Sequence, residues 1–311
     1  MQHATIGIDV SKDHLDLHRL PDAASVRFPN TRSGLAQLVA WIGCDVGRIV
    51  FEATGRYHRS LERRLAEAGY PAVKLNPKRA RRFAEAIGTA AKTDRADAAM
   101  LARMGQALAL EPQPVRPENV LKLNELLSAR RALVKDRTAA RNRAGDYALD
   151  LLRRLVETRL AQIAADIAAI DAACAKLIAA DPDLAARHRV LTSIPGIATA
   201  TAATIVALLP ELGHAEHRQI AHLAGVAPID RQSGTWRGVA HIRGGRAPLR
   251  HALYMPTLVA IQRNAEMKAI YERLVARGKP KKVAIVAIMR KLLILANALL
   301  RDNRKWTPMA P

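Results

Sequence analysis

The sequence predicts an α/β domain followed by a mainly α-helical half, and three observations carry that reading. Short apolar runs of strand type alternate with helical patterns through about residue 106. Pro112, Pro114 and Pro117 then interrupt the pattern and mark a linker. Beyond them, from about Glu118 to Ala180, the chain is almost free of Gly and Pro and spaces its apolar residues by threes and fours. The 311 residues are therefore read as three segments, 1–110, 111–189 and 190–311.

In the first segment, strands are expected over 5–10, 14–20, 25–28, 48–51 and 72–75, with helices near 34–42, 59–68, 77–86 and 94–106. Three strands in succession, then helix, strand, helix and strand, describe a mixed sheet flanked by helices, the ribonuclease H type of layout. That layout makes the first and fourth strands neighbours. In the second segment, Leu149, Leu152, Val156, Leu160, Ile163, Ile167, Ile170, Cys174 and Leu177 form a heptad-like seam, as in a helical hairpin or coiled coil. Such a seam names no partner, so packing within the chain and pairing between protomers both remain open. The third segment reads as helical, with a turn at Ser193-Ile194-Pro195-Gly196-Ile197, a small-residue helix over 198–209 and an apolar helix over 283–300.

Composition narrows the function. With 50% apolar and 25% charged residues the chain is globular rather than disordered. Its net charge of +21 and pI near 10.8 point to a polyanion, nucleic acid ahead of membrane. The charge is uneven: residues 191–311 hold 18 basic against 6 acidic residues. Cys44 and Cys174 lie too far apart to suggest a zinc site or a disulfide framework, which fits a reducing cytoplasm. No signal segment and no uninterrupted apolar run of spanning length is read, so a cytoplasmic protein without a membrane partner is expected.

Four carboxylates stand where chemistry needs them. Asp9 and Glu52 close two strand-type runs, whereas Asp94 and Asp97 lie three apart on a helix and so share a face. Two strand-end acids facing such a pair supply hard oxygen ligands for one or two Mg²⁺ ions, the arrangement that cuts and rejoins phosphodiesters. Read singly, each acid is an ordinary strand end or a helix start suited to the dipole. Lys92 precedes the helical pair, Arg95 lies between its two members, and both are counted among the nucleic-acid contacts.

The C-terminal segment offers a nucleophile and phosphate binders. Amides at the Gly196 turn and the helix after it resemble half of a helix-hairpin-helix, which faces a phosphate, although Pro-Gly turns between helices are common. Ser233 sits among glycines and arginines that include Arg231, Arg237, Arg243, Arg246 and Arg250. Glycine lets backbone approach a ligand, and arginine grips phosphate oxygens in pairs. A Ser-Gly pair is ordinarily a turn, and no local Ser-His-Asp arrangement activates this serine; His241 is a lone histidine. Lys281 and Lys282 end a basic run, with Arg273, Arg277 and Lys279, ahead of the apolar helix. Eleven aromatic residues are too few for a platform that stacks several bases.

Taken together, Gly7-Ile8-Asp9-Val10-Ser11-Lys12, Phe51-Glu52-Ala53-Thr54-Gly55, Lys92-Thr93-Asp94-Arg95-Ala96-Asp97, Ile194-Pro195-Gly196-Ile197 and the block 221–250 resemble a known family. It is the DEDD transposases of the insertion sequence 110 family, which includes the pilin-gene-inverting Piv/MooV-like recombinases. The resemblance implies a RuvC-like N-terminal domain whose Asp9, Glu52, Asp94 and Asp97 bind Mg²⁺, with Mn²⁺ as a substitute. It further implies a C-terminal transposase domain whose Ser233 becomes joined to a DNA 5′-phosphate, leaving a free 3′-hydroxyl. Family members are similar in using a structured bridge RNA that pairs with donor and target DNA, and in forming homo-oligomers, dimers or tetramers, that set the acids of one protomer against the serine of another. A nuclease using water as nucleophile, or a non-enzymatic basic nucleic-acid-binding protein, is the alternative.

Overall fold

The computed structural model describes residues 3–88, 93–108, 110–112 and 116–308. The chain divides into two compact units, 1–115 and 116–311.

The first unit is built on five strands: β1 (Ala4–Val10), β2 (His14–Leu20), β3 (Ser25–Pro29), β4 (Val46–Glu52) and β5 (Ala72–Leu75). They stand in the order β3-β2-β1-β4-β5, with β1 antiparallel to β2, β2 antiparallel to β3, and β1, β4 and β5 mutually parallel. This is the mixed sheet of ribonuclease H type that the element order predicts. Alternation along the strands assigns each face. Ile6, Ile8, Leu15, Leu17, Ile49 and Phe51 are fully buried on one face with Leu38 of α1 (Arg32–Ile42) and Leu61 and Leu65 of α2 (Arg59–Glu67). On the other face Val50, Val73 and Leu75 meet Ala80 of α3 (Pro77–Ala86) and Met100, Leu101 and Met104 of α4 (Asp94–Ala107).

Two glycines decide how closely α4 lies on the sheet. A Cβ at Gly7 would fall 2.1 Å from the carbonyl oxygen of Ala98 and 2.4 Å from the nitrogen of Ala102. At Gly105 it would fall 2.6 Å from Val50 and 2.9 Å from Thr5. Progress along α4 therefore runs back along β1, and the first turn of α4 comes over the C-terminal end of β1.

The second unit begins with a helical hairpin, α5 (Glu118–Ala144) and α6 (Asp150–Ala179). Of the hairpin and coiled-coil readings the chain takes the hairpin: it reverses at 145–149 so that the two arms pack on each other. Ile163, Ile167, Cys174 and Ile178 of α6 are buried, and Arg130 of α5 grips Asp171 with two hydrogen bonds of 2.6 and 3.0 Å. The lower seam is thus satisfied within the chain. Helices α7 (Pro182–Thr192), α8 (Thr199–Leu208), α9 (His217–Ala224), α10 (Ala247–Arg263), α11 (Ala265–Ala276) and α12 (Lys281–Arg301) complete the unit. α12 is, among the described residues, the one helix long and apolar enough to cross a membrane, and half of that apolar stretch is buried in the protein core. Between α9 and α10 lie four two-residue strands, β6 (Pro228–Ile229), β7 (Gln232–Ser233), β8 (Trp236–Arg237) and β9 (His241–Ile242).

Candidate functional site: an acidic sheet edge and a basic hairpin

Asp9 leaves β1 on the face that carries Gly7, hence toward α4. β1 and β4 pair in parallel with Ile8 opposite Phe51, so Asp9 and Glu52 follow at adjoining strand ends. Asp94 and Asp97 occupy the first turn of α4, whose N-cap Thr93 accepts a hydrogen bond from the amide of Ala96. The consequence is electrostatic: burial first, then the charges of Asp97 and Asp94, push the Asp9 carboxyl up to about 6.

A fifth acid, Asp16, was not anticipated from sequence. It stands opposite Asp9 on β2, it is buried, and its charge also raises Asp9. Opposite Asp16 on β3 is Arg27. Its Nε donates to Asp16 Oδ1 at 2.9 Å, and its Nη2 donates to Asp16 Oδ2 at 2.9 Å and to Asp94 Oδ2 at 3.1 Å. Glu52, Asp9, Asp16 and Arg27 therefore follow one another across neighbouring strands, with the α4 acids above them. An acid in mid-strand reads as a solvent-face residue; only the cross-strand register reveals its neighbours.

The donor set is oxygen alone and mutually repelling, which fits a hard divalent cation. The spacing is looser than the chemistry: among the described residues no three His, Cys, Asp or Glu side chains gather around one point. Arg95 is exposed on the same helix turn, and Lys92 lies outside the described residues.

Ser233 is on the second unit, at the end of β7. The turn Gly234-Thr235, with Gly234 at φ +56°, reverses the chain so that Ser233 faces Trp236 across the ribbon. Ser233 is exposed, and among the described residues its hydroxyl makes no hydrogen bond to His241 or another side chain. Arg231, Arg237 and Arg243 are exposed on the same segment, Arg237 opposite Gln232 and hence on the other face of the ribbon from Ser233. Arg246 and Arg250 are engaged with their own chain: Arg246 pairs with Glu211 at 2.5 and 2.6 Å and donates to Leu208 O, while Arg250 donates to the carbonyls of Gly225 and Gly244. Gly196, at φ +95°, lies where a Cβ would be 2.5 Å from the carbonyl oxygen of Pro256. That glycine lets α10 approach the turn. Lys281 and Lys282 are exposed in the first turn of α12, whose N-cap Pro280 offers no side-chain acceptor.

Comparison with known proteins gives these features a common frame. Residues 6–152 match the DEDD transposase family of IS110 type, and residues 188–272 match the transposase IS116/IS110/IS902 family. The pilin gene-inverting proteins of Moraxella lacunata and Moraxella bovis are each 30% identical over 325 residues, covering 98% of this chain and 98% of theirs. The IS110 uncharacterized 43.6 kDa protein of Streptomyces coelicolor is 30% identical over 129 residues, 39% of this chain and 31% of that one. Among solved structures, T. thermophilus RuvC in complex with Holliday junction substrate overlaps 36% of this chain and 100% of its own at 12% identity, with a TM-score of 0.28. Matched at both ends, and along nearly its whole length by the Moraxella proteins, this chain belongs to the IS110-type DEDD transposase family.

Proposed function

We propose that the protein is an RNA-guided DNA recombinase that cuts and rejoins strands through a covalent Ser233–DNA intermediate. The observation that carries the reading is the acidic sheet edge: Asp9, Glu52, Asp94 and Asp97 lie toward one end of one face, and burial first, then Asp97 and Asp94, raise Asp9 to about 6. Those four would hold Mg²⁺ or Mn²⁺. Bound there, the ion supplies Lewis-acid stabilisation of the attacking and leaving oxygens, the activation that Ser233 lacks locally.

Ser233 Oγ attacks the phosphorus, forming a serine–5′-phosphate bond as the P–O3′ bond breaks. The serine gives up its proton and the departing 3′ oxygen takes one up. One phosphodiester replaces another, so the step is reversible and a different 3′-hydroxyl can rejoin the strand. Arg231, Arg237 and Arg243 hold flanking phosphates. The +21 charge and the scarcity of aromatic residues suit a protein that reads backbone and shape while a structured bridge RNA, paired with donor and target DNA, supplies sequence specificity. The Moraxella relatives, named for inverting pilin genes, support recombination over simple cutting. Leu149, Leu151 and Leu155, exposed at the open end of α6, are the surface on which a second copy would pair in a homo-oligomer.

The test incubates purified protein, its RNA and cognate DNA with Mg²⁺ and maps covalent adducts by mass spectrometry. A DNA adduct on Ser233, absent from Ser233→Ala and from Asp9→Asn, is expected. Cut ends with full activity in Ser233→Ala would replace the serine with water as nucleophile. No Mg²⁺-dependent reaction from an assembled complex would leave a binding protein.

A further inference from the structure

We propose that Trp236 is a stacking platform that holds one unpaired DNA base beside Ser233. The role in positioning rests on the serine reading above; the base contact itself does not. β7 and β8 pair antiparallel with Ser233 directly opposite Trp236. Residues opposite one another send their side chains to the same face of the ribbon, with Cβ atoms roughly 5 Å apart. The hydroxyl and the indole therefore look out together.

The indole is braced on one edge and open elsewhere. Its six-membered ring packs against Gly238 so closely that a Cβ there would sit 2.3 Å from Cη2. Even so, Trp236 is 56% exposed. The other two tryptophans are covered: Trp41 lies under the Arg19 guanidinium at 4.6 Å, and Trp306 packs on the C-terminal core. Among the described residues no guanidinium or second ring covers Trp236. An uncovered π-face of this size on a charged ribbon is a binding surface for a flat partner. The exposed Arg231, two residues before Ser233 and so on its face of the ribbon, selects a partner that also carries phosphate. A nucleobase meets both requirements, and every base has a π-face, so the contact tolerates any sequence.

The base must be unpaired, because a stacked and paired base offers no free face to an indole. Holding it fixes the adjoining phosphate with respect to Ser233 Oγ, a positioning effect that reaches the reacting atoms through the substrate. A single tryptophan grips a single base, consistent with a chain too poor in aromatics for a longer platform.

The test labels the full chain with 5-fluorotryptophan, assigns the Trp236 resonance with Trp236→Phe, and titrates oligothymidylate against an abasic phosphodiester of equal length. The Trp236 signal is expected to move with oligothymidylate and not with the abasic strand, while Trp41 and Trp306 stay still. Trp236→Ala, its folding checked by thermal melting, should bind oligothymidylate about five- to a hundredfold more weakly. It should also form less Ser233 adduct on cognate DNA, with Trp236→Phe restoring part of the yield. Equal movement with both strands, or none with either, overturns the base contact. Wild-type adduct yield from Trp236→Ala overturns the positioning role. If the wild type forms no adduct while its Trp236 signal still responds to bases, the serine reading fails and the stacking contact stands.

Discussion

Asp9 is held at a cost that a purely structural residue would not carry. Its carboxyl is raised from 3.8 to about 6 by burial and by Asp97 and Asp94, so the folded protein binds a proton there more readily than the unfolded chain does. Stability from this group is accordingly greatest below about pH 4 and is lost as pH rises toward 6. Asp9→Asn should therefore be more stable than the wild type at pH 7.5 in chelator, by about 1 kcal/mol once solvent screening is discounted. The gain should shrink at pH 4.5, where the wild-type carboxyl is already protonated. Thermal melts at both pH values check it; a less stable variant at pH 7.5 would mean that the acids do not repel one another. Mg²⁺ should stabilise the wild type and not the variant, which ties the strain to the ion.

Asp16 and Arg27 give the second residue-scale prediction. Groups that orient a ligating carboxylate are worth about 10- to 100-fold in metal affinity. Arg27 reaches Asp94 only because Asp16 anchors it, so Arg27→Gln and Asp16→Asn should each weaken Mn²⁺ binding within that range, measured by electron paramagnetic resonance. The double variant should lose little more than either single one, because the two act as one unit. Tighter binding by Arg27→Gln would instead make Arg27 a competitor of the ion. The four acids of the proposed site could be picked out from strand ends and helical spacing. Asp16 could not, because its meaning depends on register across two hairpins, which an isolated run of residues does not display.

At the scale of elements, the site depends on how α4 meets β1. Gly7 sits under Ala98 and Ala102 with no room for a methyl group, and the obstructing atoms are backbone. Gly7→Ala must therefore lift or shift α4, a change expected to cost roughly 3 kcal/mol or more in chemical denaturation. It should also weaken Mn²⁺ binding although no acid is altered, since Asp94 and Asp97 ride on the displaced helix. A variant with wild-type denaturation would show that α4 can repack without penalty. The five strands and four helices of this unit were legible because each repeats its apolar residues at a clear period and ends at a recognisable turn. The ribbons β6 to β9 were not, because two-residue strands have no period to detect. A helical hairpin was an open reading of the sequence, but the place of its reversal, 145–149, was not marked, because its only glycine, Gly145, keeps a helical backbone at φ −63°.

For the whole molecule, the controlling quantity is charge. The excess of +21 is concentrated toward the C-terminal end, where basic residues outnumber acidic ones 18 to 6 beyond residue 190. Lys281 and Lys282 are where a ligand-binding share of this excess is best tested. They occupy the first turn of α12, the positive end of a helix dipole, where a cation is locally unfavourable and an anion is attracted. Replacing both with Ala should leave thermal stability unchanged or slightly raised while weakening nucleic-acid binding. Because each lysine that neutralises a phosphate releases counterions, the slope of log affinity against log salt should become shallower by about 1 per lysine. Fluorescence anisotropy with a labelled duplex between 50 and 200 mM salt reads this directly, in a Ser233→Ala background so that no chemistry intervenes. A uniform loss across unrelated sequences would place the lysines on the backbone, as the proposed RNA-guided reading of sequence predicts. A loss confined to one sequence would make them readers of bases, and an unchanged slope would leave them as a solvated surface.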